Sequence, residues 1–382
     1  MKVLNISTSS LFYNGIGIVL LNYYQNMYND KIQMDYISPG YVDQDYKKEI
    51  SIKGNKVFEF EYKGQKIRQK RPIKYCFKLY NIIKKEKYDI VHVHGSSSMM
   101  AMDLLVAKLA GTKIRIAHSH NTQSDNKILN MIFRPIFMKS YTHAFACGEE
   151  AGKWLFGQKS NFTIIPNGKD CELYEYNEKI RKKIRKKFRI PDNNIVIGHV
   201  GNFNEQKNHE YLLKIFKELS DNYRLLLVGS GELQEEIVSF AKKMNIYDRI
   251  IFTGSVPSDM VAKIIQAMDI IVFPSKFEGF PNVLIEWQIS GLPCLISDKI
   301  TKSVNLTNLV KFLSINENPK VWAQEINKTK ILDREKNNLM IRQAIINAGY
   351  DIKENAKRLE QLYLDLKKEE FRWKSLINYT KL

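Results

Sequence analysis

The chain has 382 residues, of which 44% are hydrophobic, 11% aromatic and 26% charged. This is too much for one ordinary core, predicts two globular domains, and excludes a mostly disordered or fibrous chain. Its net charge is +18, and residues 1–190 carry +16 of it, with 33 lysines and arginines against 17 acidic residues.

In chain order, short β-rich runs alternate with stretches of helical length, the pattern of doubly wound parallel sheets. Strands are expected at Val3–Ser7, Tyr36–Ser38, Ile90–His94, Ile114–His118, Ala144–Cys147 and Thr163–Pro166. A second series follows at Ile195–Val200, Arg224–Val228, Ile250–Thr253, Ile270–Pro274, Pro293–Ser297 and Val310–Ser314. Helices are expected at Glu210–Ser220, Leu233–Met244, Asp259–Met268 and Asn282–Ser290. The turn chemistry of Ile190-Pro191-Asp192-Asn193-Asn194 sets an expected domain boundary at 190. The domains are thus 1–190, 191–350 and a helical tail over 351–382. That tail carries Tyr363, Phe371, Trp373 and Tyr379 and needs a surface, which the first domain can supply.

No apolar run approaches the ~20 residues of a membrane-spanning helix. Met1-Lys2-Val3-Leu4-Asn5-Ile6-Ser7 enters a strand directly, so a secretory leader is not expected. Cys76, Cys147, Cys171 and Cys294 form no C-x-x-C pair. Neither a disulfide scaffold nor a zinc site is expected, and the chain reads as one of a reducing cytoplasm. The densest basic runs are Lys63 to Lys74, with Lys66, Arg68, Lys70 and Arg71 at its centre, and Lys179 to Arg189. A basic first half attracts anionic lipid, nucleic acid or a phosphorylated substrate.

The segment richest in chemistry is Glu278-Gly279-Phe280-Pro281-Asn282-Val283-Leu284-Ile285-Glu286, directly after the apolar run Ile270–Pro274. In open α/β sheets ligands bind beyond the C-terminal ends of strands, where helix N-termini present N–H groups to phosphates. Gly279 permits close backbone approach, Pro281 suits a first helical turn, and Asn282 suits a cap or a polar contact. Glu278 belongs to the loop and Glu286 to the helix about one turn in, within reach of different parts of one ligand. Lys207, in Gly201-Asn202-Phe203-Asn204-Glu205-Gln206-Lys207-Asn208, stands just after another strand and supplies a cation there. His92 and His94 alternate on one strand and His118 and His120 on the next, with no carboxylate or cysteine at ligand spacing, so metal is not expected. Asn14-Gly15-Ile16-Gly17-Ile18 opens a helix that can cradle phosphate, although Leu20 replaces the third glycine of a dinucleotide fingerprint. Asp43-Gln44-Asp45 matches a D-x-D metal motif only formally and reads as loop.

These segments, together with Ile114-Arg115-Ile116-Ala117-His118-Ser119-His120-Asn121-Thr122, Ile165-Pro166-Asn167-Gly168 and Gly198-His199-Val200-Gly201, resemble the retaining glycosyltransferases of family four, over roughly residues 1–300 and in order. Glu278 and Glu286 match the family's E-x7-E donor motif. The resemblance implies a GT-B fold of two Rossmann-like domains facing across a cleft, and members that build bacterial capsular or extracellular polysaccharide look most similar. It implies that Glu278 faces the donor sugar and Glu286 the ribose, and that Gly279, Phe280, Pro281, Asn282 and Val283 meet sugar hydroxyls and diphosphate. It also implies that Lys207 grips phosphate, that His120 is the active-site histidine, and that Gly15 and Gly17 border the diphosphate or acceptor. Asn202 stands where the family places an arginine, which leaves Lys207 to act with helix dipoles or with another base such as Lys276.

The function expected is transfer of a hexosyl or N-acetylhexosaminyl unit from a nucleotide donor, UDP-linked, to a lipid-diphosphate-linked saccharide, with retention. Such a protein works in the cytoplasm, peripherally on the anionic inner face of the cell membrane, without metal or other cofactor. No nucleic-acid partner is expected, since no basic motif with interleaved aromatics appears. The rival readings are a GT-B sugar-nucleotide epimerase and a non-catalytic basic protein that binds membrane or nucleic acid.

Overall fold

Thirteen parallel strands form two sheets in the computed structural model, which describes residues 1–11, 15–60, 73–122, 126–278 and 280–379, with side chains up to 370. The contacts divide the chain into one unit of Met1–Gly168 with Ile352–Leu382 and a second of Lys169–Asp351.

The first unit holds β1 (Lys2–Ser7), β2 (Gln33–Ser38), β3 (Val57–Glu59), β4 (Ile90–Gly95), β5 (Ile114–Ser119), β6 (His143–Ala146) and β7 (Thr163–Ile164). They lie in the order β3-β2-β1-β4-β5-β6-β7. Val3, Tyr36, Ile90, Ile114 and Ile116 feed a core on one face, while Leu4, Ile6, Ile37, Val91 and Val93 feed the other. Burial on both faces is what a run of branched apolar residues requires of a parallel sheet. The strand expected at Thr163–Pro166 ends at Ile164, because Pro166 has no N–H to give a ladder. Asp43 is not loop: its carboxylate caps the helix Gln44–Ile52, accepting from the N–H groups of Asp45 and Tyr46.

The C-terminal helix Ile352–Tyr379 buries Ile352, Ala356, Leu359 and Tyr363, a stripe at helical spacing, in the core of this unit. Glu360 accepts from the backbone N–H groups of Tyr28 and Asn29 at 2.7 and 3.0 Å. Lys367 reaches Asp89 at 2.6 Å. The side chains of Phe371, Trp373 and Tyr379 lie outside the described residues.

The second unit holds β8 (Ile195–Val200), β9 (Tyr223–Val228), β10 (Ile250–Phe252), β11 (Ile270–Phe273), β12 (Cys294–Ser297) and β13 (Val310–Leu313), in the order β10-β9-β8-β11-β12-β13. The strand order reverses between β8 and β11. The boundary expected at 190 falls inside this unit, because the helix Glu178–Lys187 is tied to it by buried charge. Arg181 and Arg185 meet the two oxygens of Asp269 at 2.6 and 2.5 Å, and Asp269 also accepts from the Val196 N–H at 2.7 Å. That helix carries much of the basic run Lys179 to Arg189, so two of its cations serve packing. The run's other cations, and Lys74 of the earlier run, remain exposed; Lys66, Arg68, Lys70 and Arg71 lie outside the described residues.

Removing one partner of a buried pair leaves the other charge uncompensated, at a cost of about 3–5 kcal/mol. Asp269→Asn should therefore lower the stability of the second unit by about 3 kcal/mol, read as an earlier urea midpoint; an unmoved midpoint would mean that Arg185 is satisfied by backbone carbonyls alone.

Candidate functional site

In the second unit, the loops after β8 and β11 leave neighbouring strands at the reversal of strand order, where an open α/β sheet forms its ligand crevice. Backbone and side-chain bonds stitch them together. The Lys276 N–H donates to the Gln206 carbonyl at 2.8 Å, Gln206 Nε2 to the Phe277 carbonyl at 3.0 Å, and Asn208 Nδ2 to the Pro274 carbonyl at 3.1 Å. This places Lys207 Nζ 2.6 Å from Glu278 Oε1 and 4.7 Å from the ring centroid of Phe273. The close passage of the β8 loop also needs glycine at 229. Its φ is +132°, and a Cβ there would stand 2.2 Å from the Gly201 carbonyl oxygen.

Glu286 projects from the two-turn helix Val283–Ile289 and meets Lys169 Nζ at 2.6 Å, with both side chains buried. Tyr174 lies beside the same carboxylate; burial and the Glu286 charge push its hydroxyl well above the usual tyrosine range. Lys169 carries no role in the sequence reading, although it directly follows Ile165-Pro166-Asn167-Gly168, and that adjacency is the signal that marks it. Asn282 stands at the N-cap position but makes no side-chain cap bond, which leaves it free for the polar contact that is the other expectation; its Oδ1 is buried without a partner among the described residues. Phe280 stacks on Tyr350 at 5.3 Å, Pro281 is buried, and Val283 packs on the core. Gly279 lies outside the described residues. Asn202 is exposed, and Lys276 is paired with Glu205 at 2.5 Å on the surface, so neither duplicates the half-buried cation at Lys207.

The first unit gathers four histidines at the ends of β4 and β5, where His94 and His118 are register partners. His92 Nδ1 lies 2.7 Å from the Tyr363 hydroxyl and His92 Nε2 3.2 Å from His118 Nδ1. His94 Nε2 lies 3.2 Å from Asn5 Oδ1 and His94 Nδ1 3.0 Å from His120 Nε2. One set of neutral tautomers satisfies all four contacts. Tyr363 donates to His92, which donates to His118; His94 donates to Asn5 and accepts from His120. In this set His120 Nδ1 is an acceptor, with Asn167 beside it. It and Asn167 Oδ1 are both buried without a hydrogen-bond partner among the described residues.

Burial drives all four imidazoles toward the neutral form, His120 down to about 4, with Asn167 opposing in part. For His92, His94 and His118 neighbouring histidines add to the effect of burial. Nitrogens of His92, His94 and His118 lie within 4.8 Å of one another, a spacing a metal ion can use. His92 and His94 nevertheless spend both ring nitrogens on the contacts above, and an ion there would replace them. The helix Gly15–Asn26 starts at Gly15, whose φ of +47° suits glycine, while Gly17 is buried and its carbonyl accepts from the Tyr46 hydroxyl at 3.1 Å.

Comparison with known proteins agrees with this architecture along the whole chain. The family model "Glycosyltransferase Family 4" matches residues 13–173 and "Glycosyl transferases group 1" matches residues 180–347. The putative glycosyltransferase EpsF of Bacillus subtilis is 32% identical over 377 residues, covering 95% of this chain and 96% of that protein. The UDP-Gal:alpha-D-GlcNAc-diphosphoundecaprenol alpha-1,3-galactosyltransferase of Escherichia coli is 26% identical, covering 78% and 80%. Among solved structures, Anabaena HepE in complex with UDP and glucose superposes with a TM-score of 0.74 at 17% identity, over 95% of this chain and 99% of that one. A glycosyltransferase from Rickettsia africae gives 0.75 at 16%, over 96% and 98%. With family models on both halves and a relative alike over nearly its full length, the chain belongs to the family-four glycosyltransferases of GT-B fold.

Proposed function

We propose that this chain transfers a hexosyl or N-acetylhexosaminyl unit from a UDP-linked donor to a lipid-diphosphate-linked saccharide, with retention, in the assembly of a capsular or extracellular polysaccharide. The observation that carries the reading is the pair of lysine–glutamate contacts, Lys207 with Glu278 and Lys169 with Glu286, at the reversal of the second sheet. The activities of the relatives support it: the Escherichia coli enzyme uses UDP-Gal and a diphosphoundecaprenol acceptor, and HepE is seen with UDP and glucose.

On this reading Glu286, oriented by Lys169 and Tyr174, takes the ribose hydroxyls. Glu278 takes the donor sugar, helped by Asn282 Oδ1 and the backbone from Gly279 to Val283. As the bond from the anomeric carbon to the diphosphate breaks, the leaving group gains negative charge. That charge exceeds what one carboxylate offers and draws the Lys207 ammonium to the phosphates. The acceptor hydroxyl attacks from the same face and passes its proton to the departing phosphate, so no enzymic nucleophile is needed. His120 Nδ1, neutral and acceptor only, receives a hydroxyl hydrogen bond from sugar or acceptor. Gly15 and Gly17 face the diphosphate or acceptor, and Asn202 leaves Lys207 as the phosphate cation. No cofactor or metal is used.

The protein works in the cytoplasm, peripherally on the inner face of the membrane. Among the described residues no helix is long and apolar enough to cross a bilayer.

A panel of UDP-sugars incubated with a lipid-diphosphate saccharide in the presence of EDTA should give product with one donor. Conversion of the donor without acceptor would replace transfer by epimerisation, and loss of product restored by magnesium would overturn the metal-free scheme. Glu286→Ala should weaken UDP binding about 10–100-fold in calorimetry, as expected for charge-assisted bonds of ~1.5–3 kcal/mol; unchanged affinity in the folded variant removes Glu286 from the site.

The histidines predict an acid limit. His92, His94, His118, His120, His199 and His209 are all held below the usual 6.5, mainly by burial. Between 6.5 and about 4 the unfolded chain therefore binds more protons than the folded one. Stability is fully present above 6.5 and is lost as pH falls, by up to about 1.4 kcal/mol per pH unit for each histidine. The urea midpoint should drop steeply from pH 6.5 to 5; a midpoint flat over that range would mean that these imidazoles are not buried.

A further inference from the structure

The helix Lys127–Met138 is apolar on both faces. Toward the core of the first unit it buries Asn130 and Phe137 and packs Phe133. Asn130 fixes its position, since its side-chain oxygen accepts from the Ser98 N–H at 2.7 Å. On the opposite face Ile128, Met131, Ile132, Ile136 and Met138 are 68, 69, 58, 45 and 40% exposed. At about 100° per residue these five and Pro135 share one arc of roughly 160°. A surface helix of a water-soluble domain carries polar residues on that arc.

The composition of the face narrows what covers it. Between 128 and 138 every group on the arc is aliphatic, thioether or proline, and the one hydrogen bond these side chains make among the described residues is that which Met138 Sδ accepts from the Tyr141 hydroxyl at 3.7 Å. Lys127 and Arg134 run along one edge and Lys139 follows the last turn, while no acidic residue occurs between 126 and 148. Two copies packed through this face would bring like charges together. A sheet of anionic headgroups over hydrocarbon complements both the cations and the apolar arc. Twelve residues span about 18 Å, too short to cross a bilayer, so the helix lies in the plane of the interface.

We propose that the helix Lys127–Met138 is the membrane-docking element of the protein, with Ile128, Met131, Ile132, Ile136 and Met138 seated among acyl chains and Lys127, Arg134 and Lys139 at anionic headgroups. This rests on the reading that the acceptor is lipid-linked, and it names a surface other than the basic runs at 63–74 and 179–189.

Sedimentation of the full chain with vesicles of phosphatidylethanolamine and phosphatidylglycerol tests it. The doubly substituted Met131→Gln, Ile132→Gln protein alters only exposed side chains and should bind these vesicles at least tenfold more weakly, with unchanged UDP affinity. Lys127→Gln with Lys139→Gln should lower binding severalfold at low salt and make little difference at 0.5 M salt, where the apolar arc still holds part of the parent protein. Glu286→Ala should bind vesicles like the parent, so that failure of the donor site and failure of the dock are told apart. Equal sedimentation of parent and Met131→Gln, Ile132→Gln overturns the proposal. So does a parent that ignores anionic vesicles, or one that is a dimer split by that substitution, which would assign the face to a second copy.

Discussion

The pairing of β8 with β11 is the constraint on which the chemistry of the second unit depends. Strands β8 to β10 build the sheet outward in one direction and β11 to β13 in the other, so the crossovers on the two sides diverge. The loops leaving β8 and β11 thereby become neighbours although seventy residues separate them. Lys207 and Glu278 meet because those loops are then laced through the main-chain carbonyls of Gln206, Phe277 and Pro274. Gly229 belongs to the same constraint, since any larger residue would press on the carbonyl of Gly201 and lift the lysine loop.

The two units prepare opposite electrostatic environments. The second offers fixed charge in compensated pairs, suited to a ligand whose own charge grows during reaction. The first offers uncharged acceptors, His120 Nδ1 and Asn167 Oδ1, in a network kept neutral by burial. A group whose proton is retained by its neighbours orients a hydroxyl without competing for its proton.

Much of this is legible in the sequence, for identifiable reasons. Both sheets, except the half-buried edge strand β3, follow from apolar runs separated by helical lengths, because parallel strands buried on both faces have few residues to choose from. The E-x7-E segment announces Glu278 and Glu286 through a local spacing. What escapes is non-local. The role of Lys169 depends on a carboxylate 117 residues away, and the tautomer of His120 on Asn5, 115 residues earlier. The boundary at 190 rests on a real turn, yet Arg181 and Arg185 reach forward to Asp269, and a buried ion pair outweighs turn chemistry in deciding where a helix belongs. Asp43 reads as loop because an N-cap aspartate differs from a loop aspartate only in whether its carboxylate meets the N–H groups of the next turn. The exposed arc of residues 128–138 is hidden because an apolar helix looks the same in sequence whether one face or both are covered.

The return of the C-terminal helix makes the first unit discontinuous in the chain, and this bears on the order in which the protein folds on the ribosome. Residues 169–351 form one uninterrupted unit that can close as soon as they emerge. The first unit, although synthesised earlier, lacks Leu359 and Tyr363 from its core and the hydroxyl that His92 meets until the last stretch is made. Its seven strands are all made by then, but one face of the sheet lacks the helix that covers it while the unit behind it folds. A stall in translation just beyond residue 351 would leave a folded second unit joined to a first unit without the helix that completes its core.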